Sequence, residues 1–378
     1  MAELQALLPQ GICLRGVPLQ GRLGAQQGVL AGLGIADLEA CLTFTGGADA
    51  SGHFMRIALN ADCLARWMPH FNTLNLRQTL HLNDALEPSS LLREIVICML
   101  AGPVAFEFPG MDELQSAIRI RANIAQAACK TRLAFHTSQA ERPPGCWTYH
   151  DGAGFVIQPD ASLIEALTKA TQPEVNTPYA FSCYRATEYV MLLGIAQELA
   201  HCNPALYALL QTVWTQRPIK SGQFHTVFLR EQGSLAAPLP AYYFVPGDRI
   251  WFRNPDAASS EASGYEGSWV IYLGGGRFGN FWKFEQPYTL VEKCLEIYQW
   301  RNALYLDAQG EERIDENRVE ALLATTRNDA AETARILGLM QRYRDGQGVY
   351  ADGGCLDPSR EFARWVCPGS SDMLLPQA

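Results

Sequence analysis

The segment Tyr179-Ala180-Phe181-Ser182-Cys183 leads directly into an apolar stretch that runs to Ala200. The stretch predicts a helix that is apolar on most of its circumference, and a helix of that kind is buried in the middle of a domain. Cys183 should therefore lie at the N-terminal end of a central helix. Free backbone N–H groups and the helix dipole favour an anion there, so the thiol pKa should fall and the cysteine could act as a nucleophile. The alternative interpretation is a small, buried, unreactive side chain.

Composition limits the classes of protein and partner. The chain has 378 residues, 48% of them apolar and 18% charged, which is typical of a soluble globular protein. A net charge of -9 without a basic tract argues against a nucleic-acid partner. No apolar run is long enough to span a membrane, and Met1-Ala2-Glu3-Leu4 lacks the basic start of a secretory signal. We therefore expect a cytoplasmic protein with no membrane span.

The cysteines predict neither a disulfide framework nor a metal site. Eleven cysteines are scattered at irregular spacing, with no C-x-x-C pair. This pattern favours reduced thiols over structural disulfides or bound zinc. We expect no metal and no cofactor.

Periodicity and turn signals predict the remaining elements. A helix should begin near Ser162, with Ser162 as its cap, and strands should cover Phe54–Leu59, Arg249–Arg253 and Trp269–Leu273. Other segments are predicted as follows: a loop at Thr45–Asp49, a helix over Met111–Phe135, a long loop over Gln216–Pro240 that contains His225, and a short helix within Pro358–Val366.

One motif resembles a dinucleotide-binding fingerprint. Gly274-Gly275-Gly276-Arg277-Phe278-Gly279 fits G-x-G-x-x-G after a strand, but that mechanism needs a helix directly after the third glycine. The residues that follow, up to Phe284, are aromatic and strand-like. The motif is therefore interpreted as a hairpin turn between two strands.

Several segments in the right order carry a family resemblance between Leu91 and about Ala303. They are Leu91-Leu92-Arg93-Glu94, Arg121-x-Asn123-Ile124, Trp147 with Gly154-Phe155, Tyr179-Ala180-Phe181-x-Cys183, Gly247-Asp248-x-x-Trp251-Phe252-Arg253-Asn254-Pro255-Asp256 and Gly267-x-x-Val270-Ile271. In these segments the chain resembles the bacterial spore-coat type protein-glutamine gamma-glutamyltransferases, or transglutaminases. The resemblance implies an α+β fold with a papain-like (transglutaminase/NlpC-P60-like) core, in which a central nucleophile helix packs on an antiparallel sheet.

The resemblance also implies a reaction and a set of site residues. Cys183 matches the family's cysteine, which attacks a glutamine amide and passes the acyl group to an amine. Phe281 stands at the position of the family's histidine and Ser268 at that of its glutamate. Glu266 is the nearest acid on the same strand face. His225 is the better candidate for a replacement base, and His150 is the second.

Two functional hypotheses follow. The first is a divergent cysteine acyltransferase that forms or breaks an amide on a protein or peptide substrate. The second is an inactive relative that binds a protein. A peptidoglycan-directed cysteine peptidase shares the fold but is disfavoured by the missing hairpin histidine. We expect an N-terminal extension over residues 1–90, the transglutaminase-like core over 91–305 and a helical extension over 306–378.

Overall fold

A computed structural model describes residues 8–16, 22–83, 87–136, 140–173, 178–218, 220–344 and 353–376. The α-helices are α1 (Arg22–Gly32), α2 (Ala61–Trp67), α3 (Leu76–Thr79), α4 (Pro88–Leu100), α5 (Met111–Lys130), α6 (Leu163–Thr171), α7 (Cys183–Cys202), α8 (Pro204–Gln216), α9 (Ser221–Phe228), α10 (Ala257–Glu261), α11 (Leu290–Ala303), α12 (Glu316–Arg327) and α13 (Ala330–Met340). The strands are β1 (Ile12–Arg15), β2 (Leu42–Asp49), β3 (Gly52–Leu59), β4 (Phe106–Phe108), β5 (Ala134–Phe135), β6 (Trp147–His150), β7 (Gly154–Ile157), β8 (Ala180–Phe181), β9 (Leu229–Gln232), β10 (Arg249–Arg253), β11 (Gly267–Gly274), β12 (Arg277–Phe278), β13 (Leu304–Leu306), β14 (Glu312–Ile314) and β15 (Arg360–Ala363).

Two larger sheets organise the strands. A four-stranded sheet has the order β2-β3-β1-β4, in which β1 is antiparallel to β3 and parallel to β4. A five-stranded sheet has the order β12-β11-β10-β15-β9, and each neighbouring pair is antiparallel. The pairs β5-β8, β6-β7 and β13-β14 form separate two-stranded sheets. The predicted α+β class is confirmed.

Helix α7 lies in the interior, as its apolar circumference predicts. It packs against α5, α6, α8 and the sheet strand β11. Its buried side chains join a cluster that also holds Ile120 and Ile124 of α5 and Ile271 of β11. Because the helix is covered on several sides, few positions along it tolerate a change in size.

The contact between α5 and α7 depends on Gly194. A Cβ atom at this position would lie 2.5 Å from Cγ1 and 2.8 Å from the backbone nitrogen of Ile124. Only glycine lets the two backbones approach this closely. The other face of α5 contributes Ile118 and Ala122 to a second apolar cluster, with the four-stranded sheet and α4.

The Gly247-Asp248 pair of the sequence signature docks β10 onto α5. Nη1 of Arg121 donates to Oδ1 of Asp248 at 2.6 Å, and the backbone N–H of Val245 donates to Oδ2 at 2.7 Å. Gly247 has a φ of 88°, and a Cβ atom there would lie 2.7 Å from the carbonyl oxygen of Arg121. The signature therefore has a structural role: it holds a turn against the helix.

Two predictions in the N-terminal half were wrong, the first over its whole length and the second at its C-terminal end. Residues Thr45–Asp49 lie in β2, because they pair residue by residue with β3 and the Phe54 ring covers Gly47. The predicted helix over Met111–Phe135 ends at Lys130, since Ala134 and Phe135 pair with β8 instead.

Three predictions in the C-terminal half were also wrong in part. The predicted loop over Gln216–Pro240 contains α9 and β9, and His225 lies on α9. The Pro358–Val366 segment contains β15, which completes the five-stranded sheet between β10 and β9. The glycine hairpin turn is confirmed, but its second strand is only β12 and does not extend to Phe284. Strand pairing with distant residues decided these segments.

The extensions share packing with the core. Residues of β1 and β3 lie in one apolar cluster with residues of α4 and α5, and β15 lies inside the main sheet. The division at residues 90 and 305 stays a prediction. Within the described ranges, every helix is too short or too polar to cross a bilayer.

Replacing Gly194 by alanine should destabilise the protein by about 1–3 kcal/mol, because the added methyl group overpacks the α5–α7 contact. Gly338→Ala is the matched control, since Gly338 is exposed within α13 and a Cβ atom there meets nothing within 4 Å. It should be neutral or stabilising by about 0.5–1 kcal/mol. Urea unfolding of both variants measures the difference; equal stability would contradict the close-contact argument.

Candidate active site

Cys183 is fixed at the first position of α7 from both sides. The backbone N–H of Arg185 donates to the side chain of Ser182, the N-cap residue, at 3.3 Å. Immediately before the cap, β8 pairs with β5. Cys183 itself is half-buried. The cap and the strand pairing together hold the sulfur at the start of the buried helix.

A cleft of about 400 Å³ opens on one side of Cys183. We call it the tryptophan cleft, because the rings of Trp251 and Trp269 stack in its wall with centroids 5.9 Å apart and an interplanar angle of 14°. Its lining also includes Phe135, Ser182, Tyr184 and Glu266. This side of the sulfur offers flat apolar surfaces.

A second cleft of about 230 Å³, the lysine cleft, also reaches Cys183. Its lining carries most of the ionisable groups near the sulfur: Tyr265, Lys283, Tyr288, Lys293, Glu296, Glu316 and Glu320, together with Ser268. Cys183 thus lies where an aromatic cleft and an ionisable cleft meet.

Lys293 is the central charge of the lysine cleft. Its Nζ donates to Oε2 of Glu296 at 2.6 Å and to Oγ of Ser268 at 3.3 Å. It also lies 3.5 Å from the ring centroid of Tyr288, whose hydroxyl donates to Glu296 at 3.0 Å. Lys293 is only 3% exposed, so its charge is held by the carboxylate and the aromatic ring rather than by water.

A capping box positions this pair. Thr289 caps α11, its side chain accepts from the backbone N–H of Glu292, and the Glu292 carboxylate accepts from the backbone N–H of Thr289. Lys293 and Glu296 then follow at a spacing of three residues, on one face of the helix. On this face of α11 the ion pair lies next to β11, where Lys293 contacts Ser268.

A second polar pair closes the far end of the lysine cleft. The Tyr265 hydroxyl donates to Oε1 of Glu316 at 2.6 Å. Burial raises the pKa of both Tyr265 and Glu316. Both groups thus favour their neutral, protonated forms more than they would in water.

Burial also raises the pKa of the Cys183 thiol. The backbone N–H groups of Trp269 and Tyr184 and the positive charges of Lys293 and Arg249 act in the opposite direction, but burial outweighs them. This is the reverse of the fall expected for a cysteine at a helix start. The resting thiol is therefore protonated at neutral pH, and a nucleophile would need a group that takes its proton.

Arg249 lies behind the first turn of α7. It is 1% exposed, and its Nε donates to the hydroxyl of Thr187 at 2.8 Å. Its Nη1 donates to Oε2 of Glu361 at 2.6 Å, and its guanidinium lies 3.9 Å from the centroid of the Trp269 ring. This arginine connects α7, the tryptophan cleft and β15.

The predicted site residues are only partly brought together. Glu266 is exposed and lines the tryptophan cleft with Cys183. His225 is not among the described residues that line either cleft. Its Nε2 lies 3.3 Å from Oε1 of Glu361. His150 is exposed at the end of β6. The roles of Cys183, Glu266 and His225 stay predictions.

Phe281 and Ser268, which the sequence resemblance aligns with the family's histidine and glutamate, differ in their surroundings. Phe281 is 3% exposed, follows the end of β12, and its carbonyl accepts from the backbone N–H of Leu133 at 2.8 Å. Ser268 on β11 faces the lysine cleft and accepts from Lys293. The first position is thus packed into the core, whereas the second contacts an ion pair.

Sequence analysis missed Lys293 and Glu296. A lysine and a glutamate three residues apart on a helix usually form a surface pair, and nothing local distinguishes these two. The sequence signal that could have indicated burial of Lys293 is its apolar neighbours on the same helix, which are Leu290, Cys294 and Ile297. Within the described residues, no three His, Cys, Asp or Glu side chains come together as a metal site.

Comparisons with known proteins agree with the sequence resemblance. The family model for protein-glutamine gamma-glutamyltransferase matches residues 69–343. The protein-glutamine gamma-glutamyltransferase of Halalkalibacterium halodurans is 23% identical over 193 residues, which are 49% of this chain and 62% of the relative. The chain thus spans about three fifths of the length of that relative. The solved transglutaminase from Geobacillus stearothermophilus, without its C-terminal extension, aligns with a TM-score of 0.38 and 16% identity, over 68% of this chain and 95% of that one.

The match of the family model extends well beyond half of the chain and includes Cys183 together with both clefts. The resemblance found in the sequence is confirmed, and the chain belongs to the protein-glutamine gamma-glutamyltransferase family.

Proposed function

We propose that this protein is a divergent transglutaminase-like acyltransferase that forms or breaks an amide through a thioester on Cys183. Family membership supports acyl transfer as the class of reaction. One observation carries the proposal for this chain: Cys183 shares a cleft with the buried Lys293–Glu296 pair. A thiol beside a cation and a carboxylate has the groups that thiol catalysis requires.

The proposed arrangement is papain-like. The cysteine begins a buried helix, and that helix packs against β11 of an antiparallel sheet. In this arrangement the ionisable partner comes from α11 instead of the hairpin strand that carries the family's histidine. We propose that Lys293 and Glu296 take over the work of the replaced residues.

The proton steps follow from these positions. Glu296 accepts the thiol proton of Cys183, and the ammonium group of Lys293 stabilises the thiolate. The thiolate attacks the amide carbon of a glutamine side chain, and ammonia leaves with the proton returned by Glu296. An amine then attacks the thioester, and Glu296 accepts the proton that the amine loses and passes it to the departing sulfur, which is released as a thiol.

Protein or peptide chains are the proposed substrates. The stacked Trp251 and Trp269 rings provide a flat apolar wall, against which the methylene groups of a glutamine side chain pack well. The irregular spacing of the eleven cysteines, without a C-x-x-C pair, favours a reducing compartment such as the cytoplasm.

A second candidate function is an inactive relative that binds a protein. The raised pKa of the Cys183 thiol favours it, because a protonated thiol is a poor nucleophile. Phe281 favours it too, since a phenyl ring cannot accept a proton. Turnover experiments distinguish the two candidates.

Cys183→Ala should reduce incorporation of a fluorescent amine into a glutamine peptide to background, because the sulfur that forms the thioester is removed. Cys41→Ala is the control; Cys41 is also partly exposed but lies far from both clefts in the chain. Wild-type turnover that survives in Cys183→Ala would eliminate the thioester, and a folded wild-type protein without any turnover would support the binding candidate.

Glu296→Gln should lower turnover by about 10²–10⁴, because the proposed proton acceptor is lost.

Lys293→Met should move the apparent pKa of Cys183 further upward, because it removes a positive charge that lowers that pKa. Alkylation of Cys183 against pH, followed by mass spectrometry of its peptide, measures the shift. Lys169→Met on the exposed face of α6 should change neither property. An unchanged alkylation profile in Lys293→Met would remove Lys293 from the mechanism.

A further inference from the structure

A third cavity, which we call the Arg142 pocket, lies beside the start of α7. Its volume is about 270 Å³, and its walls include Arg142, Phe155, Phe181, Arg185, Tyr189 and Trp214. Ser182 lines both this pocket and the tryptophan cleft. The pocket is therefore one residue away from the proposed nucleophile, on the other side of the helix cap.

Arg142 is a buried cation without an acidic partner. It is 8% exposed, and its guanidinium lies 3.6 Å from the ring centroid of Phe181 and 4.4 Å from that of Tyr189. Its Nη1 donates to the carbonyl oxygen of Glu141 at 2.6 Å. Its side-chain hydrogen-bond partner is Tyr189, and among the described residues its Nε–H has no acceptor. Burial accordingly lowers the pKa of Arg142.

Trp214 supplies a second unsatisfied donor. It is 3% exposed, and its indole Nε1–H finds no acceptor among the described residues. A buried donor without an acceptor is destabilising, and more so when the group is charged. Both side chains lie in the wall of one cavity, so a ligand with acceptor oxygens that enters it meets the guanidinium of Arg142 beside the indole of Trp214.

The charge of the pocket selects an anion. Arg185 and Lys220 also line it, although Arg185 is paired with Glu188. No Asp or Glu is among the described residues that form its walls. The aromatic walls favour a ligand of low charge, since desolvating a dianion costs more than desolvating a monoanion. A carboxylate meets both conditions and matches the planar guanidinium.

We propose that the Arg142 pocket binds a carboxylate carried by an acidic residue of the polypeptide whose glutamine reacts at Cys183. This inference rests on the proposed function for its substrate, because the pocket would then read the sequence beside the reactive glutamine. It makes the protein selective for acyl donors with Asp or Glu at one fixed distance from that glutamine.

Binding to the Cys183→Ala protein tests the proposal without any turnover. The probes are short acetylated peptides with a central glutamine, in which one glutamate is placed at each flanking position in turn, and matched peptides with glutamine in its place. One glutamate position should strengthen binding by about tenfold or more over its matched peptide. Arg142→Met should abolish that preference.

Two further variants keep the test independent of folding. Arg132→Met is the matched control, because the exposed Arg132 also stacks on an aromatic ring, that of Phe284 at 3.9 Å. It should retain the glutamate preference. Trp214→Phe should retain the fold, measured by its melting temperature, and lose part of the preference. The Trp214 indole N–H resonance can be assigned in the ¹⁵N NMR spectrum, because it is the one that disappears in Trp214→Phe. In the protein that retains Trp214, this resonance should shift when the glutamate peptide binds.

The outcomes separate this inference from the proposed function. If the protein prefers a glutamate peptide but the wild-type protein shows no turnover, the carboxylate-binding role of the Arg142 pocket is supported and the proposed acyl transfer is contradicted. Turnover without a preference for any glutamate position would contradict carboxylate binding in the Arg142 pocket. Free glutarate that competes as strongly as the best peptide would show that the pocket takes a small carboxylate, and would overturn the substrate-reading role.

Discussion

Burial of α7 on several sides is the constraint on which the rest of this structure depends. The helix has α5 against it at Gly194, the sheet strand β11 on another side, and α6 and α8 around it. Along most of the helix, burial leaves no backbone N–H or C=O group without a hydrogen bond, because these groups pair within the helix. Only its first turn carries free N–H groups, and the chain places Cys183 there. The clefts and the Arg142 pocket all form around this one exposed end.

Buried ion pairs hold the layers in register around that end. Arg121 joins α5 to the turn before β10, and Arg249 joins β10 to β15 through Glu361. Removing one partner of such a pair leaves a buried charge and is far more destabilising than the pair is stabilising. Their main effect here is geometric, since they fix how the sheet meets α5 and, through the hydrogen bond from Arg249 to Thr187, the first turns of α7.

The buried ion pair that shares a cleft with Cys183 comes from α11 rather than from the hairpin strand β12. Phe281, which the sequence resemblance aligns with the family's histidine, packs into the core after β12, and no residue of β12 is among the described residues that line the two clefts. Helix α11 instead brings Lys293 and Glu296 to Ser268 on β11. Under the proposed function, this pair supplies the cation and the carboxylate for the chemistry of the thiol. The raised thiol pKa makes the proton acceptor the decisive part of this site.

The sequence by itself determined the buried helix, its cap at Ser182 and the position of Cys183, because periodicity and capping are local properties of the chain. It also determined the family, through segments such as Gly247-Asp248 whose role is to dock on α5. Only the tertiary structure decided that Lys293 lies at the thiol, since a Lys–Glu pair on a helix looks like a surface pair until its burial is known. The strand at β15 and the helix that carries His225 were likewise decided by pairing and packing with residues distant in sequence. The surroundings of Arg142 and Trp214 were decided in the same way, because the residues that share the wall of their pocket are distant from one another in sequence.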